Sequence, residues 1–125
     1  MAITIRNYQK SDALAILEII NYNILNATAL YDYSIRSLAQ QESILETKIL
    51  AGFPVIVAEN NGEVVGFGMY SEFRFREAYK FTVEHSVYVH QNSQGLGIGK
   101  QLLTELIQLA KKQGLDVFVS DFGTI

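Results

Sequence analysis

The 125-residue chain has no cysteine and no tryptophan, one proline and two histidines. Without cysteine there is no disulfide scaffold, zinc ribbon, iron–sulfur ligation or thiol nucleophile to consider. His85 and His90 are too few for a dense histidine cage, and no metal is expected. Long apolar runs are missing too, since no stretch approaches the roughly eighteen uninterrupted apolar residues of a membrane-spanning helix. The start, Met1-Ala2-Ile3-Thr4-Ile5-Arg6, lacks the basic segment and apolar core of a secretory signal, so a cytoplasmic protein is expected. Charge is sparse at 18%, and a net charge of −3 offers no electrostatic reason to expect nucleic acid as partner. With 49% hydrophobic and 11% aromatic residues, the chain should fold as one domain around a real core. Small molecules become the leading partner class.

No repeat, linker or domain boundary interrupts residues 1–125. Apolar–polar alternation from Ala2 to Asn7 suits a strand. Ser11 then has the character of a helix N-cap, and Leu14, Leu17, Ile20 and Ile24 recur at the steps of an amphipathic helix, about Asp12 to Asn23. Asn26 to Ile35 reads as a loop. Ser37 with Gln40 forms a capping-box signature for a helix from about Leu38 to Ala51, stopped by Gly52 and Pro54. Asn60-Asn61-Gly62 is a hairpin signal between strands Val55–Glu59 and Val64–Ser71. After a loop over Phe73 to Tyr79, Phe81 to Val89 is again strand-like. A helix carrying Leu102, Leu103, Leu106, Ile107 and Ala110 on one face follows, ended by Gly114, and Val117 to Val119 close the series. The order β-α-α-β-β-β-α-β predicts an α/β sandwich, with helices on a mostly antiparallel sheet.

The densest chemical signal is Gln94-Gly95-Leu96-Gly97-Ile98-Gly99, set between a strand and a helix. Glycines permit positive φ and close approach of backbone to ligand, and the first helical turn has unpaired N–H groups and partial positive charge. This makes an anion site. A Walker A loop fails, because Gly99-Lys100 is preceded at the required position by Gln94 and followed by Gln101. The dinucleotide fingerprint fails as well, its third glycine falling on Lys100 or Leu102. What fits is Gln-x-x-Gly-x-Gly.

That pattern resembles the diphosphate-binding signature of the GNAT superfamily of acetyltransferases, which bind acetyl-coenzyme A. Phe73-Arg74-Phe75-Arg76, Ala78-Tyr79 and Thr82-Val83-Glu84-His85-Ser86-Val87-Tyr88-Val89 resemble its phosphinothricin acetyltransferase-like branch, with Tyr31 and Ser37-Leu38 upstream. The likeness covers essentially the whole chain. It implies a GNAT-like sheet, and acetyl-coenzyme A as cosubstrate held by Val87, Tyr88, Val89, Gln94, Gly95, Leu96, Gly97, Ile98, Gly99 and Lys100. The arm of the donor would pair with the strand at Val87 to Val89 as an added strand does, with a main-chain N–H near Val87 polarising the thioester carbonyl.

Glu84 is the candidate base, directly or through a water, since alternation sets it with Ser86 and Tyr88; otherwise it is a solvated strand-end carboxylate. His85 should point the opposite way and be buried among apolar neighbours. Arg74 and Arg76 are candidates to grip a substrate carboxylate in bidentate fashion, or else ordinary surface arginines. Tyr31 is a candidate wall of the acceptor pocket or a core aromatic. The expected activity is acetyl transfer to the primary amine of a small amino-acid-like molecule, by direct attack in a ternary complex.

Members of the family usually continue past the strand at Val117 into a helix and a closing pair of strands. That part often contributes an Asn contact to the donor arm and a Tyr that protonates the departing thiolate. This sequence stops at Ser120-Asp121-Phe122-Gly123-Thr124-Ile125. A homodimer in which a second copy covers the exposed surface is the expected assembly. The alternative reading is a shortened, catalytically inactive acyl-coenzyme A-binding or interaction module.

Overall fold

Asn61 at φ 53° and Gly62 at φ 82° reverse the chain in two residues. Positive φ at both is what a type I′ turn demands, and its twist matches that of the strands it joins. The computed structural model describes residues 3–26, 37–72 and 82–118, with the main chain alone described at 23–26, 72, 82, 84 and 116–118. In chain order these are β1 (Ile3–Asn7), α1 (Ala13–Asn26), α2 (Leu38–Leu50), β2 (Val55–Asn60), β3 (Glu63–Glu72), β4 (Thr82–Val89), α3 (Ile98–Lys112) and β5 (Asp116–Phe118). The strands form one sheet in the order β1-β2-β3-β4-β5, antiparallel except for the parallel pair β4 and β5. The mostly antiparallel α/β sandwich expected from the sequence is the architecture found.

Each face of the sheet has its own core. Ile16, Ile19 and Ile20 of α1 and Leu45 of α2 pack on Val55, Val57, Phe67 and Met69. On the other face Ile98, Leu102, Leu106 and Ala110 of α3 pack on Ile56, Tyr70, Val83, Val87 and Val89. Burial of these side chains supplies most of the driving force, at about 25 cal/mol per Å² of apolar surface.

The start of α1 differs from the expectation. Ser11 is exposed and caps nothing; a 3-10 turn, Lys10–Asp12, precedes the helix. Gln9 is the N-cap of that turn, and Asp12 at its third position makes the return bond of a capping box, its Oδ2 accepting the Gln9 N–H at 2.8 Å. The Arg6 guanidinium holds the same carboxylate through both oxygens, Nη1 to Oδ2 and Nη2 to Oδ1, each at 2.9 Å. Asp12 belongs here because a short acceptor at the third position reaches the N–H that a serine at position 11 would not. The apolar stripe also shifts. Leu14 is 55% exposed, while Ala13, Ile16, Ile19 and Ile20 are buried. The helix is apolar around most of its circumference, so two overlapping stripes fit the same sequence and packing selects one. It also runs on to Asn26, three residues past the expected end.

The second helix starts as read. Ser37 Oγ accepts from the Gln40 N–H at 3.2 Å and the Gln40 side chain accepts from the Ser37 N–H at 2.8 Å. One irregularity had no sequence signal. The β2–β3 register slips so that Ala58 faces Gly66 and Glu59 faces Val64, leaving Val65 unopposed. This bulge turns Val65 and Gly66 both toward α3.

Candidate active site

The site is built where β4 runs into α3. His90 N–H donates to Val65 O at 2.7 Å, so the main-chain groups of residue 90 point at β3. In an antiparallel strand that direction alternates, which sends the N–H and C=O of Val87 and Val89 the other way, toward β5. There the pairing consists of Thr82 with Asp116, Val83 with Val117 and Glu84 with Phe118. Among the described residues, the outward main-chain groups of Val87 and Val89 therefore face no strand. Their side chains are buried beneath α3 at 0% and 4% exposure, which holds this stretch of backbone rigid.

Beyond Val89 the chain makes a 3-10 turn, Gln91–Ser93, in which His90 Nδ1 accepts from Asn92 N–H at 3.1 Å. Gly95 follows at φ 84°, and Gly97 at φ 78° is the N-cap of α3. A Cβ at either glycine would meet nothing within 4 Å, so left-handed backbone, not crowding, requires glycine at both, and the open side is room for a ligand. The Gln101 N–H donates to Gly97 O at 3.1 Å as the first bond of the helix. The amides at Gly97, Ile98, Gly99 and Lys100 therefore precede the intrahelical ladder, with no side-chain cap from glycine. They line a cavity of about 220 Å³ with Val89, Gln94 and Gly95. Buried Ile98 anchors the helix mouth, while Gln94, Leu96 and Lys100 are exposed around it. Main-chain donors and the positive end of a helix dipole in one concavity suit a diphosphate.

Of two larger hollows, one is separate from this cavity and the other adjoins it at Ser93, which lines both. One of about 450 Å³ lies at the far end of α3, where the Tyr70 hydroxyl donates to Gln113 Oε1 and Gln113 Nε2 donates to Gly52 O at 3.0 Å. Burial pushes the Tyr70 hydroxyl above its ordinary pKa. The other, of about 730 Å³, is walled by Arg6, Asp12, Glu18, Glu59 and Glu63. Among the described residues no group of three or more His, Asp or Glu is placed to hold a metal ion. No described helix is long and apolar enough to cross a membrane.

Of the other sequence candidates, Glu84 has its main chain in β4 between Ser71 and Phe118. Its side chain lies outside the described residues, as do Tyr31, Arg74 and Arg76 entirely. Ser86 is half-buried, and Tyr88 stacks on Phe67 with ring centroids 5.3 Å apart. His85 is buried, in step along β4 with Val83, Val87 and Val89. The features missed from sequence are the Val65 bulge and two strand glycines, Gly66 and Gly68, that lie under α3. The glycines were legible as interruptions of a β-branched run, the usual mark of a bulge or close approach.

Residues 20–123 match the model of the acetyltransferase (GNAT) family. The chain belongs to that family. It is thereby an acetyl-coenzyme A-dependent N-acetyltransferase by descent. The chain is 38% identical to the L-methionine sulfoximine/L-methionine sulfone acetyltransferase of Salmonella typhimurium, over 94% of this chain and 68% of that protein. It is 32% identical to the phosphinothricin N-acetyltransferase of Alcaligenes faecalis, over 85% of this chain and 54% of that protein. A solved acetyltransferase from Salmonella typhimurium, with its cofactor acetyl-CoA, superposes with a TM-score of 0.85 at 38% identity, covering 92% of this chain and 66% of that one.

Proposed function

We infer that this acetyltransferase moves the acetyl group of acetyl-coenzyme A to the primary amine of a small amino-acid-like molecule, by direct attack with both substrates bound. The observation that carries the reading is the junction of two features: the outward main-chain groups of Val87 and Val89, and the amide-lined cavity at Gly95 to Lys100 a few residues on. The residues fit the donor. Unopposed strand groups are what an amide-bearing arm pairs with, and a glycine-framed helix mouth is what a diphosphate needs. When bound, acetyl-coenzyme A supplies an activated thioester.

In this reading Gln94 and the amides of Gly95 to Lys100 hold the diphosphate, with Leu96 and Ile98 shaping the turn around it. Val87, Tyr88 and Val89 hold the arm. The Val87 N–H stabilises negative charge developing on the carbonyl oxygen. Glu84, directly or through a water, takes the proton from the attacking amine. A carbon–nitrogen bond forms, the carbon–sulfur bond breaks, and coenzyme A leaves as the thiolate, which takes a proton from water to become the thiol. Tyr31 walls the acceptor pocket, and Arg74 and Arg76 grip the acceptor's carboxylate. The acceptor class rests on the relatives, named for methionine sulfoximine, methionine sulfone and phosphinothricin, all amino acid analogues.

We further take the protein to act in the cytoplasm, where its donor is found, and as a homodimer. Leu50 is 87% exposed beside Ile49 at 44%, apolar surface for a second copy to cover. A single sedimenting monomer at micromolar concentration would contradict the dimer. The activity is tested by following thiol release from acetyl-coenzyme A with methionine sulfoximine, phosphinothricin and the standard amino acids in turn. Release with any of them is the expected result. Tight donor binding without release from the whole panel would replace this reading with that of an inactive acyl-coenzyme A-binding module.

A further inference from the structure

Gly66 and Gly68 sit in the middle of β3, directly opposite Val89 and Val87 of β4. Neither has positive φ, so backbone freedom is not the reason for glycine at these two positions. Both lie under α3. A Cβ at Gly66 would stand 3.1 Å from Tyr88 O, 3.2 Å from Leu102 Cδ1 and 3.3 Å from Ile98 Cγ2. At Gly68 it would stand 3.1 Å from Leu106 Cδ1 and 3.4 Å from Val87 Cγ2. The missing side chains therefore set how far α3 settles onto the sheet, in the neighbourhood of the strand positions that face the donor arm.

We propose that Gly66 and Gly68 are positioning residues that fix the spacing between the two halves of the donor site. This rests on the donor reading given above. One half is the outward edge of β4, tied rigidly to β3 by the ladder. The other is the set of amides at the mouth of α3, a stiff helix whose first residue, Ile98, rests on Gly66. The thickness of the contact between α3 and β3 is thus the gap a ligand must span to touch both. At Gly66 a methyl group would meet the β4 main chain at Tyr88 O first, whereas at Gly68 it meets the Leu106 side chain of α3 first and lifts the helix by a few tenths of an ångström, because close-packed interiors pass strain on instead of absorbing it. Each half keeps its own geometry while the distance between them changes. A ligand that spans both loses the advantage of its linkage, and a ligand that uses one half does not.

The two glycines differ in a way that supplies a control. At Gly66 the tightest contact is main chain, which cannot yield. At Gly68 it is a leucine methyl, which a smaller neighbour removes. Gly68→Ala with Leu106→Val adds one carbon and takes one away.

The experiment is calorimetric titration of wild type, Gly68→Ala and Gly68→Ala/Leu106→Val with coenzyme A. The nucleotide half alone, 3′-phosphoadenosine diphosphate, is measured in parallel by competition. Gly68→Ala is expected to weaken coenzyme A about tenfold while leaving the nucleotide half within about twofold, and the double variant to restore coenzyme A to within about threefold. The KM for acetyl-coenzyme A should rise with kcat unchanged. Equal weakening of both ligands, no weakening of either, or no rescue by Leu106→Val would overturn the proposal. A wild-type protein that takes up no coenzyme A at all would instead remove the donor reading on which it stands.

Discussion

Gly97 and Gln101 close the first turn of α3, the carbonyl of one accepting the amide of the other at 3.1 Å while Gly97 stands at φ 78°. An L-residue in that conformation is strained by about 1–2 kcal/mol, and a β-branched one by more. Gly97→Val is therefore expected to move the helix mouth and abolish detectable coenzyme A binding in calorimetry, with the far-UV spectrum retained. Undiminished affinity in this variant would remove the diphosphate from the turn.

Glu84→Gln separates chemistry from binding. If Glu84 is the base, kcat should fall by about 10²- to 10⁴-fold, the usual contribution of a positioned proton acceptor, while coenzyme A affinity stays within about twofold. Turnover equal to wild type would end the assignment.

The Arg6–Asp12 pair gives the fold a defined response to acid. Burial alone would raise the Asp12 carboxyl; the Arg6 guanidinium and the Gln9 N–H outweigh it and hold the carboxyl below its ordinary 3.8. A carboxylate depressed in the folded state adds stability that is fully present above its unfolded value and is lost as pH falls through the folded one. Melting temperature measured between about pH 2 and 6 should drop more steeply in wild type than in Asp12→Asn. At neutral pH that variant should be less stable by about 1–3 kcal/mol. Parallel curves would show that the pair does not contribute this way.

Leu45 and Leu50 lie five positions apart on α2 with opposite expectations. Leu45 is fully buried between α1 and the sheet, and Leu45→Ala should cost about 2–5 kcal/mol in denaturant unfolding. Leu50 is 87% exposed, and Leu50→Ala in dilute monomeric protein should change stability by no more than about 0.5 kcal/mol. Similar losses at the two sites would mean that α2 packs differently.

Local chemistry made much of this molecule legible in advance. Asn-Gly demanded a hairpin and formed one, Ser37 and Gln40 capped α2 reciprocally, and Leu102, Leu106 and Ala110 marked the buried side of α3. Reading failed where several partners compete for one role. The cap fell on Gln9 instead of Ser11, with Asp12 returning a bond to the Gln9 N–H while Arg6, six residues back along the chain, also holds its carboxylate. The stripe on α1 shifted because a helix apolar on most sides has no single preferred face until the sheet selects one.

At the candidate site the glycine turn was visible because positive φ leaves its mark on residue type. The Val65 bulge was not, since valine carries no sign of being unopposed; only the pairing of β2 with β3 reveals it. The direction of the Val87 and Val89 amides was likewise hidden. Alternation says which residues share an edge, and a hydrogen bond from His90 to Val65 says which edge it is.

The outward main-chain groups of Val87 and Val89 also have a consequence for the protein's life without ligand. A stretch of strand whose donors and acceptors face no strand among the described residues is a template that an extended peptide can copy, including the same stretch of an identical chain. On the donor reading proposed above, saturating acetyl-coenzyme A should then act as a chemical chaperone. It would slow self-association on mild heating beyond what the gain in folding free energy alone accounts for, by occupying the very groups that seed it.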